Sequence, residues 1–210
     1  MADSIFDKIY AEQSWKWHES LSGPGSDLGA TKGLIKALPH LFRKYGIRSI
    51  VDFGCGDFNW MKEVNLDGID YLGADSVSAL VNDNIIKYAS DNINFANLDI
   101  ISDPVPSCHL VIVRDVYVHF KIEDIIKSLN NIYDSNVLYI MMTHYPTPNE
   151  DLEKFYELPV NSDLEATGLH RPLDFTLAPF HLNQPIEILE ESEVGKTLAM
   201  WNIGEVRNVY

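Results

Sequence analysis

Five short apolar runs recur between segments of helical length, and that rhythm restricts the fold more than anything else in the chain. Ser49–Phe53 (SIVDF), Tyr71–Ala74, Ile93–Leu98, His109–Arg114 (HLVIVR) and Val137–Met142 (VLYIMM) read as strands, the fourth strongly β-branched. Helices are predicted over Lys32–Tyr45, closed by Gly46, and over Phe58–Val64, Ser78–Ala89 and Ile122–Ile132. Strands that alternate with helices pack as a parallel, doubly wound sheet with helices on both faces.

The alternation stops in the C-terminal part. Residues 146–185 read as a long loop region, Pro-rich and helix-poor over Gly168–Pro185. Ile186–Glu190 and Leu198–Ile203 (LAMWNI) then read as strands joined by a short turn through Glu193–Lys196. Strands this close in sequence must pair antiparallel, because a parallel crossover needs a dozen or more residues. The predicted fold is α/β and Rossmann-like, a seven-stranded, mostly parallel sheet with a C-terminal antiparallel hairpin. At 210 residues the chain fits one domain, 1–210. Residues 1–35, rich in Trp, Ser and Gly (SWKWHESLSGPGS), read as a short helix and an ordered loop.

Charge removes some functions. With 16 basic and 31 acidic residues the net charge is −15, a field that repels nucleic-acid phosphates and anionic lipid. No basic patch interleaved with aromatics overrides it. No apolar run reaches the ~18 residues that span a bilayer. The N-terminal sequence MADSIFDKIYAEQ lacks the pattern of a secretory signal. Cys55 and Cys108 form neither a disulfide framework nor a CxxC metal site, so a reducing, cytoplasmic setting is expected.

The sharpest local signal is VDFGCGDF, Val51–Phe58. Asp52 ends a strand, and Gly54 and Gly56 sit in the turn that follows, where glycine permits positive φ and close ligand approach. The acid stands two residues before the first glycine, placed to accept from a cationic α-amino group. The third glycine of a dinucleotide fingerprint is missing, since Asn59 takes its place. A site for an amino-acid moiety rather than a pyrophosphate fits S-adenosylmethionine better than NAD. Asp75 closes the next strand, where such folds present a carboxylate to ribose hydroxyls. Asp99, in NFANLD, closes the third and can accept from an adenine amine while Leu98 packs on the ring.

The order DxGxG, GAD, NLD, VIVRDVYVHF resembles motifs I to IV of the class I S-adenosylmethionine-dependent methyltransferases. More narrowly, the chain resembles small glycan-associated methyltransferases found beside or fused to glycosyltransferases in bacteria and large DNA viruses. The matching segments are Glu19–Ser26 (ESLSGPGS), Asp52–Met61, Tyr71–Asp75, Arg114–Phe120 and His170–Leu182 (HRPLDFTLAPFHL). The resemblance implies a methyl donor held by Asp52, Gly54, Gly56 and Asp57 at its methionine end, with Ser26 and Arg114 nearby and residues 1–35 folded back over cofactor and substrate. It implies a sugar hydroxyl, such as that of rhamnose, as acceptor, and a glycosyltransferase as working partner.

Methyl transfer to a hydroxyl needs alignment and a base that removes a poorly acidic proton. His119 is the expected base and Asp115 its orienting partner, because both follow the fourth strand and one helical turn separates them. His144, after the fifth strand, is a second candidate, with Tyr145 beside it. An Asp115–His144 pair is also able to hold a divalent cation, although no clustered His/Cys pattern supports a metal and none is expected. Trp17, His18 and Glu19 suit the apolar face and hydroxyls of a sugar. Arg171 and Asp174, in the long loop, complete the expected acceptor set. Three other readings stand beside this one: a small-molecule N- or O-methyltransferase, a nicotinamide-dependent reductase, and a non-catalytic module that binds S-adenosylmethionine.

Overall fold

The computed structural model describes residues 5–148, 152–191 and 195–206. Glu193 and Val194 of the expected hairpin turn lie outside the described residues, as do parts of the 1–35 and 146–185 segments. The chain divides after Asp99 into two compact units.

In the first unit, α1 (Ile5–Ala11) and a single 3₁₀ turn (Pro24–Ser26) precede α2 (Leu28–Tyr45). Helix α2 begins one turn before the predicted start because Asp27 caps it, its carboxylate accepting from Gly29 N at 2.7 Å. It ends where glycine predicts, at Gly46 with φ 63°. Strands β1 (Ser49–Phe53), β2 (Asp70–Asp75) and β3 (Ile93–Asn97) pair in parallel, and α3 (Ser78–Tyr88) lies between β2 and β3. The predicted helix over Phe58–Val64 reduces to one 3₁₀ turn, Met61–Glu63. Phe58 takes a left-handed φ of 58°, so a helix cannot start there.

The second unit holds β4 (Cys108–Val113), α4 (Ile122–Tyr133) and β5 (Val137–His144). It continues with α5 (Leu152–Phe155), β6 (Glu187–Glu190), β7 (Thr197–Asn202) and α6 (Ile203–Val206). Strand β4 pairs parallel with β5, and β7 runs antiparallel to both β5 and β6. Strands β4 and β7 are buried almost throughout, as continuous apolar runs demand. Strand β6 alternates, with Ile188 exposed, as an edge strand does. Among the described residues the strand order is β3-β2-β1-β4-β5-β7-β6, in one seven-stranded sheet. The mixed sheet and its closing antiparallel hairpin are those predicted. No helix among the described residues is long and apolar enough to cross a membrane.

Candidate active site

Register brings the first unit's expected ligand residues to one edge. Phe53 pairs with Ala74, Ala74 with Ala96 and Asp75 with Asn97, so β1 to β3 end level with one another. Asp52 is buried and accepts from the Tyr71 hydroxyl at 2.7 Å. Gly54 is exposed, with φ 69°, and Gly56 has φ 58°. The Asp75 carboxylate takes Val77 N on Oδ1 (3.0 Å) and Gly56 N on Oδ2 (3.2 Å), which fixes it against the glycine turn. Burial raises its pKa above the ordinary value, against the pull of those amides. Each oxygen still has a second lone pair. Leu98 and Asp99 follow β3 half-buried, and Leu98 N donates to the Asp75 carbonyl at 3.1 Å.

The N-terminal segment is bolted to this turn. Asp57 accepts from Ser20 Oγ (3.1 Å), Leu21 N (2.7 Å) and Ser22 Oγ (3.2 Å), while its own amide donates to Ser22 Oγ. Asp57, expected at the methionine end, thus spends its carboxylate on holding residues 20–22. Asn59 reaches the carbonyl of Ser26 with its side-chain amide (3.0 Å). The residue that displaces the third fingerprint glycine is therefore a tether, which motif reasoning had no means of seeing. A Cβ on Gly56 would lie 2.2 Å from Ser22 Oγ, so this glycine makes room for the segment itself. Burial pushes the Cys55 thiol well above its usual pKa and leaves it no nucleophile.

His18, Glu19 and Asp27 are, among the described residues, the group of three metal-competent side chains close enough to share an ion. Each already has work in the fold. Asp27 caps α2 and takes His18 Nδ1 at 3.0 Å, and Glu19 accepts from Leu28 N at 3.0 Å. Trp17 is exposed, its ring tilted against that of His18.

In the second unit, Asp115 follows β4 with a left-handed φ of 56°. That conformation costs a non-glycine residue on the order of 1 kcal/mol and is often stored at functional sites. Its amide donates to Thr143 Oγ1 (2.8 Å), the same hydroxyl donates back to Oδ1 (3.1 Å), and Lys196 Nζ donates to Oδ2. Burial would push the Asp115 carboxyl up, but the Lys196 and Arg114 charges override it and hold it well below the carboxylate range. Arg114 is buried and binds Glu191 Oε2 through Nε (3.0 Å) and Nη2. Lys196 lies 3.4 Å from the same oxygen, so two cations and two carboxylates form one network. Glu191 Oε1 is buried and, among the described residues, has no hydrogen-bond partner.

His119 ends a 3₁₀ turn, Tyr117–His119. Its Nδ1 meets the Leu169 carbonyl at 2.9 Å, and a carbonyl only accepts, so Nδ1 carries the proton and Nε2 is the basic nitrogen. Burial lowers the His119 pKa, so the ring is neutral near pH 7. Arg171 builds the turn. At 0% exposure it donates to the carbonyls of Ser162 (2.8 Å), Tyr117 (2.9 Å), Val118 (3.0 Å) and Phe120 (2.7 Å). Arg171, expected in the acceptor pocket, spends its guanidinium on the turn that carries His119. Asp174 is likewise interior, accepting from the hydroxyls and amides of Thr147 and Thr176.

His144 lies inside β5 at 1% exposure rather than beyond the strand. Its Nδ1 accepts from Phe175 N at 3.4 Å, and its ring packs edge-on against Trp201. His144 is thus enclosed, and Asp115 is engaged by Lys196. Tyr145 is buried too, accepting at its hydroxyl from Tyr156 (3.0 Å). Glu191, Lys196, Tyr156 and His170 escaped the sequence reading. The first two flank a hairpin turn and the others lie in loop or single-turn sequence, where no period marks a site. His170 alone carried a signal, standing beside Arg171 in the matched segment.

No protein-family model matches the chain, and no curated protein matches it in sequence. Solved structures do. Human N-acetylserotonin methyltransferase in complex with SAM gives a TM-score of 0.66 at 16% identity, over 96% of this chain and 59% of that one. PigF with SAH gives 0.64 at 17% identity, over 96% and 63%. Magnesium protoporphyrin IX methyltransferase from Synechocystis PCC 6803, with bound SAH, gives 0.63 at 12% identity, over 94% of each chain. The fold is that of the class I methyltransferases. At these identities the likeness is one of architecture, and the chain spans about three-fifths of the first two proteins.

Proposed function

We propose that this protein transfers a methyl group from S-adenosylmethionine to a hydroxyl of a small molecule, and that the hydroxyl belongs to a sugar. The carrying observation is the exposed Gly54 turn, with Asp52 and Asp75 at level strand ends and Leu98–Asp99 after the third. Three carboxylates in that order suit a cationic amino group, a ribose diol and an adenine amine. Asp52, Gly54 and Gly56 would hold the methionine end, Asp75 the ribose, and Leu98 with Asp99 the base. Ser20 to Ser26, tied down by Asp57 and Asn59, would close over them. The bound donor supplies a methyl on a sulfonium.

His119 does the protein's share of the chemistry. Neutral near pH 7, with Nδ1–H fixed on Leu169, it presents Nε2 to the acceptor hydroxyl and takes its proton as the oxygen–methyl bond forms. Asp115, held ionised by Lys196, favours the imidazolium that results. Neighbours of this fold include methyltransferases named for small molecules, which supports a small-molecule acceptor. The glycan-associated resemblance supports a sugar, with a glycosyltransferase acting nearby.

The test is transfer of a labelled methyl group to a panel of glycosides, phenols and amines by wild type and His119→Ala. A hydroxyl acceptor predicts a fall in turnover of about a hundredfold or more. An amine acceptor with turnover unchanged in His119→Ala would contradict both the acceptor class and the base.

A further inference from the structure

Next to His119 the long loop and the residue after the short helix α5 bring two more rings together. The His170 ring lies 5.1 Å from that of Tyr156, inclined by 32°, and 5.4 Å from that of His119. Their chain neighbours Phe155 and Leu169 are large, apolar and exposed. Tyr156 is anchored from behind by its hydroxyl on Tyr145. Although exposed by area, His170 is crowded by these rings. Desolvation and the adjacent His119 lower its pKa to about 4, so it offers an uncharged face at neutral pH. Charged groups act on the cluster as well. Asp115 and Lys196 act electrostatically on His170, and Asp115 and Glu191 act on Tyr156. Glu191 Oε1 is buried and, among the described residues, accepts no hydrogen bond.

We propose that His170 and Tyr156 are the platform on which the acceptor lies, and that the platform takes an uncharged, polyhydroxylated ring. This rests on the methyl-transfer reading above. A sugar ring has an apolar C–H face, which stacks on neutral aromatic rings, and a rim of hydroxyls able to donate to carboxylates. A simple phenol uses the aromatic rings and leaves the carboxylates unaddressed. An anionic ring is repelled by the negative faces of the aromatic rings and meets a network already balanced between two cations and two carboxylates. Seated there, the ring presents a rim hydroxyl to the His119 base beside it.

The experiment is binding of methyl α-rhamnoside and of catechol, followed by saturation-transfer NMR and calorimetry, to protein saturated with S-adenosylhomocysteine. Wild type, His170→Ala, His170→Phe and Tyr156→Ala are compared, with the thermal shift from S-adenosylhomocysteine recorded for each. The rhamnoside is expected to bind wild type and His170→Phe alike, and about three- to tenfold more weakly to the two alanine variants. The cofactor shift is expected to be the same in all four. Catechol binding without the rhamnoside, neither ligand binding, or His170→Phe failing as badly as His170→Ala would each overturn the platform. Loss of the cofactor shift in wild type would instead remove the methyl-transfer reading beneath it.

Discussion

Arg171 shows what a single buried side chain does for this site. Its guanidinium spans four carbonyls, three of them in the turn that carries His119. Burial lowers its pKa only to about 10, so it stays charged and every bond is charge-assisted. Arg171→Met should therefore cost about 3 kcal/mol or more in chemical denaturation, because it leaves several buried acceptors unpaired. Arg171→Lys should rescue little of it, since an ammonium cannot match the planar fork. A cost below about 0.5 kcal/mol would show that the turn holds itself. From sequence, Arg171 stood out only as a charge in a loop, which suits a pocket or the surface equally well. His119 was picked out because Arg114 and Asp115 follow the strand before it. Its actual partner, the Leu169 carbonyl, is a backbone atom fifty residues away and leaves no trace in composition.

Among the elements, the strands were legible and the clamp over the glycine turn was not. Apolar runs such as those in β4 and β5 declare a buried parallel strand by themselves. The clamp consists of polar contacts between residues more than thirty positions apart, made by serines that read as loop. Phe58–Val64 was misread for a related reason: the left-handed Phe58 and the tether at Asn59 use up the start of that helix. Gly56→Ala tests the clamp. The new methyl would lie 2.2 Å from Ser22 Oγ and 2.9 Å from its Cβ, at a positive φ. A loss of about 1–3 kcal/mol is expected in thermal denaturation, together with weaker S-adenosylhomocysteine binding. Adding Ser22→Gly should recover the part due to collision and leave the part due to φ. An unchanged melting temperature in Gly56→Ala would mean that the segment is loosely held.

For the whole molecule, three histidines set the response to mild acid. Burial lowers the pKa of His119, His144 and His170, the last from 6.5 to about 4. Below about pH 6.5 the unfolded chain takes up protons that the folded chain refuses, so stability falls with pH toward about 4. Asp75, whose carboxyl is raised, works the other way near the bottom of that window, while lowered carboxylates such as Asp115 matter only beneath it. The melting temperature should drop between pH 7 and 5, with a smaller slope in His170→Phe. A flat profile would mean that these rings are solvated.

The central claim is that the first unit's carboxylates and glycine turn receive the methyl donor. Thermal denaturation with S-adenosylmethionine, S-adenosylhomocysteine, NADH and NADPH, each in large excess, tests it most directly. At about 100 times the dissociation constant a ligand stabilises its fold by roughly 2.7 kcal/mol, several degrees for a chain of this length. The account predicts that shift with the two adenosyl sulfur compounds, none with either nicotinamide, and loss of the shift in Asp75→Ala. A shift with a nicotinamide alone, or none with S-adenosylhomocysteine, would contradict it.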